Sequence, residues 1–359
     1  MPATTGMKGA GYYDKHSTAQ MFSIQAIRDW VDDAVADLRL PAPGQPVTIL
    51  DLGSSEGRNA VGLMGAIVAG LRRRTDGPLR TIYSDLASNN FNQLFANLEA
   101  ARSAGLVPEG VYPSAVGGSF YGPLLPPGTV HLATCFNSIQ WLDRLPDVPL
   151  PHTIGYRRPQ PARHGAAVSA EATAAFTRQA EQDLLRFLEC RAWELVPGGK
   201  LLLASPGDSD EGRVGDGLID VLNDACLDLV AEGQLEQRQY ERVTLPVYCR
   251  TVEELLAPLE QGDSSVRGAF VVDRARTLEV PTPFCDQFRR DGDVVAYAAD
   301  YTGFLRAISE PVIRAALDPG KRRATIVESL YERVRARLLA EPERYSFRYI
   351  LVATLLTRC

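Results

Sequence analysis

Apolar and polar residues fall along this chain in alternating blocks. Residues 47–52, VTILDL, are a short apolar run rich in β-branched side chains, the pattern of a strand buried on both faces of a parallel sheet. Gly53 and Gly57 then bracket a polar loop, after which Ala60, Val61, Leu63, Met64 and Ile67 recur at helical spacing. This block reads as strand, tight turn and helix N-terminus. Residues 79–85 (LRTIYSD), 129–133 and 200–204 read as further strands. Helical patterns cover residues 91–98 and 170–195, the latter amphipathic through Phe176, Leu184, Leu188 and Trp193. The β-α alternation predicts an α/β fold with a doubly wound, parallel sheet.

The flanking patterns differ. Residues 1–11 are small and glycine-rich, and residues 12–20 (YYDKHSTAQ) are polar and aromatic before a helical pattern with Phe22, Ile24, Ile27, Trp30 and Val31. Three prolines in residues 41–46 end that helix, and residues 146–165, with five prolines and little periodicity, mark a linker or insertion. Two helical patterns in residues 218–270, joined by a turn around Leu245 and Pro246, predict an inserted cap. Residues 269–272, 277–280 and 347–356 supply the last strands, with helices over 294–313 and 324–339 between them. The expected organisation is an N-terminal arm or lid (1–30), an α/β core (31–205), a mainly helical cap with interleaved core strands (206–320) and a C-terminal helix and strand of the core (321–359).

Composition narrows the function classes. A chain of 359 residues, 45% apolar, buries a large core. Its formal net charge of −6 argues against general affinity for nucleic acid or anionic membranes, which needs a basic surface. The six cysteines are widely spaced with no C-x-x-C pair, so neither a zinc site nor a disulfide framework is indicated, and buried reduced thiols are expected. No apolar run approaches the roughly 20 residues of a membrane span, and no charged segment followed by an apolar core opens the chain. A cytoplasmic protein is expected, with no metal.

The glycine loop is the first candidate site. It lacks the G-x-G-x-x-G dinucleotide pattern and the G-K-[ST] of a P-loop. With Ser54, Ser55 and Glu56 between its glycines, a phosphate would meet a carboxylate. A ligand without phosphates, and a cationic one, fits better; S-adenosylmethionine is the common cofactor of that kind. An ordinary βα corner has the same pattern. Asp85, at the end of the second strand, stands where ribose hydroxyls are accepted in such sheets, and together with Ser88 it also suits a helix N-cap. Ser119 and Phe120 suit an adenine, although most such phenylalanines are core. Asn137, Gln140 and Trp141 fall on the next βα loop, at the ligand-binding end of the strands.

Several separate stretches match one family. MKG at residues 7–9, the Y-x-x-x-S-x-x-Q pattern of Tyr13, Ser17 and Gln20, DLGSSEGRN from Asp51, SDLASNNFNQLF from Ser84 and GGSFYGPLLP from Gly117 come in order. SIQWL from Ser138, ECRAWELVPGGKLLL from Glu189, LPVYCRTVEEL from Leu245 and LRAISEP from Leu305 follow. On these residues the chain resembles the SABATH methyltransferases, the salicylate, benzoate and theobromine synthase group, over nearly its whole length, and its departures suggest a non-plant member.

The resemblance implies a class I S-adenosylmethionine-dependent fold and transfer of the methyl group to a small aromatic, indolic, terpenoid or fatty acid. It implies that Lys8, Tyr13, Ser17, Asp51 and Asn59 surround the methionine end of the cofactor, that Asp85 and Leu86 take the ribose, and that Ser119 and Phe120 take the adenine. Gln20 and Trp141 would hold the substrate carboxylate, and Leu218, Ile219 and Leu305 would line the rest of the pocket. A carboxylic acid is already ionised at neutral pH, so no general base is needed, and His16, His131, His152 and His164 need no catalytic role. Alignment is what the site must supply, and donors of modest strength achieve it without blunting the nucleophile as an arginine would. Asn137 and Gln140 stand where plant members tend to carry a tyrosine and an apolar residue, which implies a more polar or reshaped pocket. Ile219 in place of the tryptophan of salicylate-type enzymes implies a wider one. Alternatives are N-methylation of a xanthine-like ring, a catalytically silent relative and, weakest, an NAD-dependent oxidoreductase. By analogy with the family a homodimer is expected.

Overall fold

The computed structural model describes residues 6–150, 152–158, 168–210 and 212–359; His164 and part of the expected 146–165 linker lie outside them. The arm is α1 (Tyr12–His16), α2 (Thr18–Gln25) and α3 (Arg28–Asp37). Where one helical pattern is expected there are three helices, because the backbone leaves the helical region at Ser17 and again at Ile27. The first break leaves the Ser17 carbonyl and hydroxyl to accept from Asn59 Nδ2, each at 3.2 Å.

The core follows as β1 (Val47–Leu52), α4 (Arg58–Arg72), β2 (Leu79–Asp85), α5 (Phe91–Ser103), β3 (Val111–Gly117), β4 (Val130–Phe136), α6 (Ala170–Glu194) and β5 (Leu195–Pro206). Then come α7 (Leu218–Ala231), α8 (Gln237–Tyr240), α9 (Val252–Glu260), β6 (Phe270–Val280), α10 (Pro283–Asp291), α11 (Val294–Ala316), α12 (Lys321–Ala340) and β7 (Tyr349–Arg358). The sheet has seven strands in the order β3-β2-β1-β4-β5-β7-β6. It is parallel from β3 to β5, whereas β7 runs antiparallel to both β5 and β6, so the expected all-parallel sheet is a mixed one. Successive residues alternate between its faces: Ile49, Leu202 and Ala204 join the core under the arm and cap, while Leu50, Leu52, Leu201 and Leu203 pack against α6 and α9.

Several expectations change. β3 falls where no strand is expected; it is an edge strand, which explains its partial exposure and its tolerance of Pro113. The two strands expected over 269–280 are one continuous edge strand, β6, paired along β7. α9 packs on α6, β6 and β7 and so belongs to the core layer, not the cap. Conversely α12 packs on α7 and α11 and belongs to the cap rather than the core. Trp193 is 60% exposed, outside the apolar stripe of α6. Asn90, not Asp85 or Ser88, caps α5, accepting from the Gln93 N–H at 3.3 Å.

The end of α6 carries a buried ion pair. Arg191 Nε donates to Glu194 Oε2 at 2.9 Å, and its Nη1 reaches the Phe120 carbonyl at 2.9 Å. Glu194 Oε1 accepts the Leu124 and Leu125 N–H groups at 2.6 and 3.2 Å. Both side chains are fully buried, and together they hold the loop after β3 from behind. Replacing Arg191 by Met strands the Glu194 carboxylate and is expected to lower the unfolding free energy by about 3–5 kcal/mol. Urea denaturation checks this, and the double replacement Arg191→Met with Glu194→Leu should recover part of the loss.

Candidate active site

The C-terminal ends of β1, β2 and β4 meet where the strand order reverses, the usual ligand crevice of an open α/β sheet. Asp51, on β1, is 4% exposed. Its carboxylate accepts hydroxyls from Thr134 of β4 at 2.7 Å and Ser54 at 2.8 Å, and burial pushes its pKa up against those bonds. No cation pairs with it among the described residues. The chain next turns at Gly53, with φ 88°; a Cβ there would stand 2.0 Å from Ser138 Oγ, so only glycine fits. Asp85, at the tip of β2, accepts the Ser55 and Leu86 N–H groups at 2.7 Å each. Burial nevertheless pushes its pKa up to about 6.

Three cavities open onto this crevice. One, of about 400 Å³, is lined by Asp51, Gly53, Ser54, Asn59 and Gln20. A second, of about 630 Å³, is lined by Asp85, Leu86, Ser119, Phe120 and Trp141. The third and largest, about 980 Å³, extends under the cap past Gln20, Trp141, Leu218, Ile219, Leu245 and Phe304. Tyr13 and Asn137 border all three. Gln20 stands between the first and third, and Trp141 between the second and third. Neither the Gln20 amide, on a side chain 6% exposed, nor the Trp141 indole N–H makes a hydrogen bond among the described residues.

The crevice thus gathers Tyr13, Gln20, Asp51, Asn59, Asp85, Leu86, Ser119, Phe120, Asn137, Gln140, Trp141, Leu218 and Ile219. Three expected residues are elsewhere. Lys8 lines none of the cavities: its ammonium pairs with Glu310 of α11 at 2.5 Å, because its backbone N–H is tied to the Ala307 carbonyl at 3.0 Å on that same helix. Hydrogen bonds from Lys8, Arg306 and Arg314 outweigh burial and hold Glu310 down to about 2. Leu305 is fully buried within the cap, and its helix neighbours Phe304, Ile308 and Ser309 face the cavity instead. Ser17 stands behind the wall, holding Asn59.

Asn137 and Gln140 reach the largest cavity, but their polar atoms are used internally. Gln140 Nε2 donates to the Asn137 carbonyl at 2.7 Å, and its Oε1 accepts from Ser205 at 3.0 Å. Asn137 Nδ2 donates to Ser23 Oγ at 2.9 Å, and its Oδ1 accepts from the Tyr349 hydroxyl at 2.6 Å. Ser23 Oγ in turn donates to the Gln20 carbonyl at 2.7 Å, so the network ties the helix bearing Gln20 to the loop bearing Trp141. The expectation of a more polar pocket is corrected accordingly: these residues form its frame. Tyr349, Tyr156, Ser309 and Asp208 also line the cavity and were not anticipated; nothing local in their segments marks them.

The family model of S-adenosylmethionine-dependent carboxyl methyltransferases matches residues 3–359. The chain belongs to that family. The enzyme is 29% identical to an indole-3-acetate O-methyltransferase of Oryza sativa subsp. japonica over 92% of this chain and 86% of that one. It is 26% identical to a gibberellic acid methyltransferase of Arabidopsis thaliana (86% and 82%) and 27% identical to a salicylate carboxymethyltransferase of Clarkia breweri (98% and 96%). Its fold superimposes on that of a loganic acid methyltransferase solved with S-adenosylhomocysteine, with TM-score 0.79, 23% identity and 98% of both chains covered. The enzyme uses S-adenosylmethionine and methylates a carboxylic acid on oxygen.

The frame has a measurable consequence for this methyltransferase. Asn137→Ala leaves the Tyr349 hydroxyl and the Ser23 hydroxyl each short of a partner, and about 1–3 kcal/mol of stability should be lost. A residue whose amide merely faced the cavity would change stability by less than about 0.5 kcal/mol, so urea denaturation separates the two roles.

Proposed function

We propose that the methyl donor lies across the two smaller cavities and that the acid enters the largest, its carboxylate held between the Gln20 amide and the Trp141 indole N–H. The observation that carries this reading is the meeting of the three cavities at Tyr13 and Asn137, beside two donors that the protein leaves unengaged. Asp51 would hold the methionine end of the cofactor: a buried carboxylate without a cation suits an ammonium group. Asn59 would assist there, Asp85 and Leu86 would take the ribose, and Ser119 with Phe120 the adenine. When bound, S-adenosylmethionine supplies an activated methyl group on a positively charged sulfur. Gln20 and Trp141 would fix one carboxylate oxygen in line with that methyl, while Phe304, Leu218 and Ile219 exclude water.

Free cysteines support a cytoplasmic site of action; among the described residues no helix is long and apolar enough to cross a membrane. All six cysteines are free, although only Cys135, Cys226 and Cys285 are buried and Cys359 is exposed. The homodimer rests on family analogy alone.

Two experiments test the assignment. A labelled-methyl assay over aromatic, indolic, terpenoid and fatty acids should give methyl esters, and Gln20→Ala or Trp141→Phe should lower kcat/KM by about 10–100-fold with cofactor affinity nearly unchanged. Loss of cofactor affinity instead would remove these residues from the acid site. The second concerns pH. Ribose hydroxyls donate to the charged form of Asp85, whose pKa is raised to about 6, so S-adenosylhomocysteine affinity is full above that pH and falls as the group protonates. Calorimetry at pH 5 should give an affinity about tenfold below that at pH 8, and Asp85→Asn should flatten the profile.

A further inference from the structure

The largest cavity has both apolar and charged walls. Leu218, Ile219, Leu245, Val247, Phe304 and Ile308 form its apolar wall, and Arg157, Arg158, Asp208, Arg213 and Asp216 also border it. The arginines are already committed. Arg158 Nε donates to Asp208 Oδ2 at 3.2 Å, while its Nη2 pairs with Glu254 and reaches the Cys249 carbonyl at 3.2 Å. Arg157 is paired with Asp220 at 2.6 Å, and Arg213 Nη1 donates to the Arg158 carbonyl at 2.8 Å.

Asp208 differs from the rest of this wall. It is 7% exposed, and its main chain is pinned, with its N–H on the Arg250 carbonyl at 3.0 Å and a bridge to Arg213. Only one of its carboxylate oxygens is used. Oδ1 accepts no hydrogen bond among the described residues, in a side chain that borders the cavity. An alkyl group placed there would bury an acceptor without a partner, at a cost of about 1–3 kcal/mol. A second carboxylate fares no better. Among the described residues Asp208, Asp216, Asp220 and Glu254 stand against Arg157, Arg158 and Arg213, so these acids outnumber the arginines that would meet an incoming anion. A neutral O–H donor satisfies Oδ1 and adds no charge.

We propose that the acid methylated by this enzyme carries a hydroxyl group besides its carboxylate, and that this hydroxyl donates to Asp208 Oδ1. The inference rests on the placement of the carboxylate between Gln20 and Trp141 argued above. It makes Asp208 a specificity residue, which selects the acceptor by a group other than the one methylated.

The test uses the full chain, labelled S-adenosylmethionine and two series of acids, linear aliphatic and para-substituted phenylalkanoic. Each member is offered with a plain, a hydroxylated and a carboxylated far end. At the length that spans the cavity, the hydroxy acid should show kcat/KM at least about tenfold above the plain acid, with the diacid lowest, as expected for loss of a hydrogen bond to a charged group. Asp208→Leu should abolish that preference, bringing the ratio of kcat/KM for the hydroxylated over the plain acid to about one; Asp208→Asn, which keeps an acceptor, should retain part of it. Equal turnover of plain and hydroxylated acids by the wild type, or an equal loss on all acids in Asp208→Leu, overturns this inference alone. Failure of every acid in both series to be methylated overturns the carboxylate placement and this inference with it.

Discussion

The site depends on a carboxylate buried without a positive partner. Asp51 sits at the end of β1, where the sheet reverses direction, and removing such a group from water costs several kcal/mol. Two hydroxyls, from Thr134 and Ser54, offset part of that and no more. The neighbouring backbone is bent to the same end: Gly53 turns with a positive φ, and its N–H and that of Ser54 both donate to the Ser84 carbonyl, at 2.8 and 3.0 Å. Burial raises the pKa of Asp51 and of Asp85 alike, and the cationic methyl donor proposed to lie there would offset that cost.

Around this floor, the arm joins core to cap. Lys8 pairs with Glu310, and Arg306 of the same helix joins Glu310 to Glu328 of α12. On the core side Glu56 Oε1 accepts the Gly11 N–H at 2.9 Å, and Asn97 Nδ2 donates to Asp14 at 2.8 Å. Glu56 is thereby a contact that holds the arm against the glycine loop. Tyr13 and Gln20 project from an arm anchored at both ends, so their position does not rely on the short helix α1 alone. Alignment is the main task of an enzyme whose nucleophile is already charged, and it is met here by tying every wall of the junction to a neighbouring element.

Sequence patterns determined what depends on neighbours along the chain. The bounds of β1 follow from a mostly apolar, β-branched run, the mark of a strand buried on both faces, while β2, whose Arg80 is exposed, is marked by Leu79, Ile82 and Tyr83 and by the acid that ends it. The glycine loop, the acid ending β2 and the polar loop after β4 were legible for the same reason, since their place at the strand ends follows from chain order alone. β3 was not, because an edge strand with a proline resembles a loop in composition. Trp193 was misjudged because helical periodicity identifies a stripe without saying which residue lies beyond its margin.

What only the tertiary structure decided is the choice of partners. Lys8 is close to Tyr13 in sequence yet answers to Glu310, some three hundred residues away. Asn137 and Gln140 resemble free pocket amides until Ser23, Ser205 and Tyr349 are brought to them. Helix rotation turned Phe304 and Ile308 to the cavity and Leu305 to the core, and the return of the loop before α7 brought Asp208 against Arg158. Local pattern determines which residues can form an element, since propensity and periodicity act over a few positions. Which polar atom is left free for a ligand is decided by long-range packing, because a hydrogen bond is satisfied by whichever group the fold brings within about 3 Å.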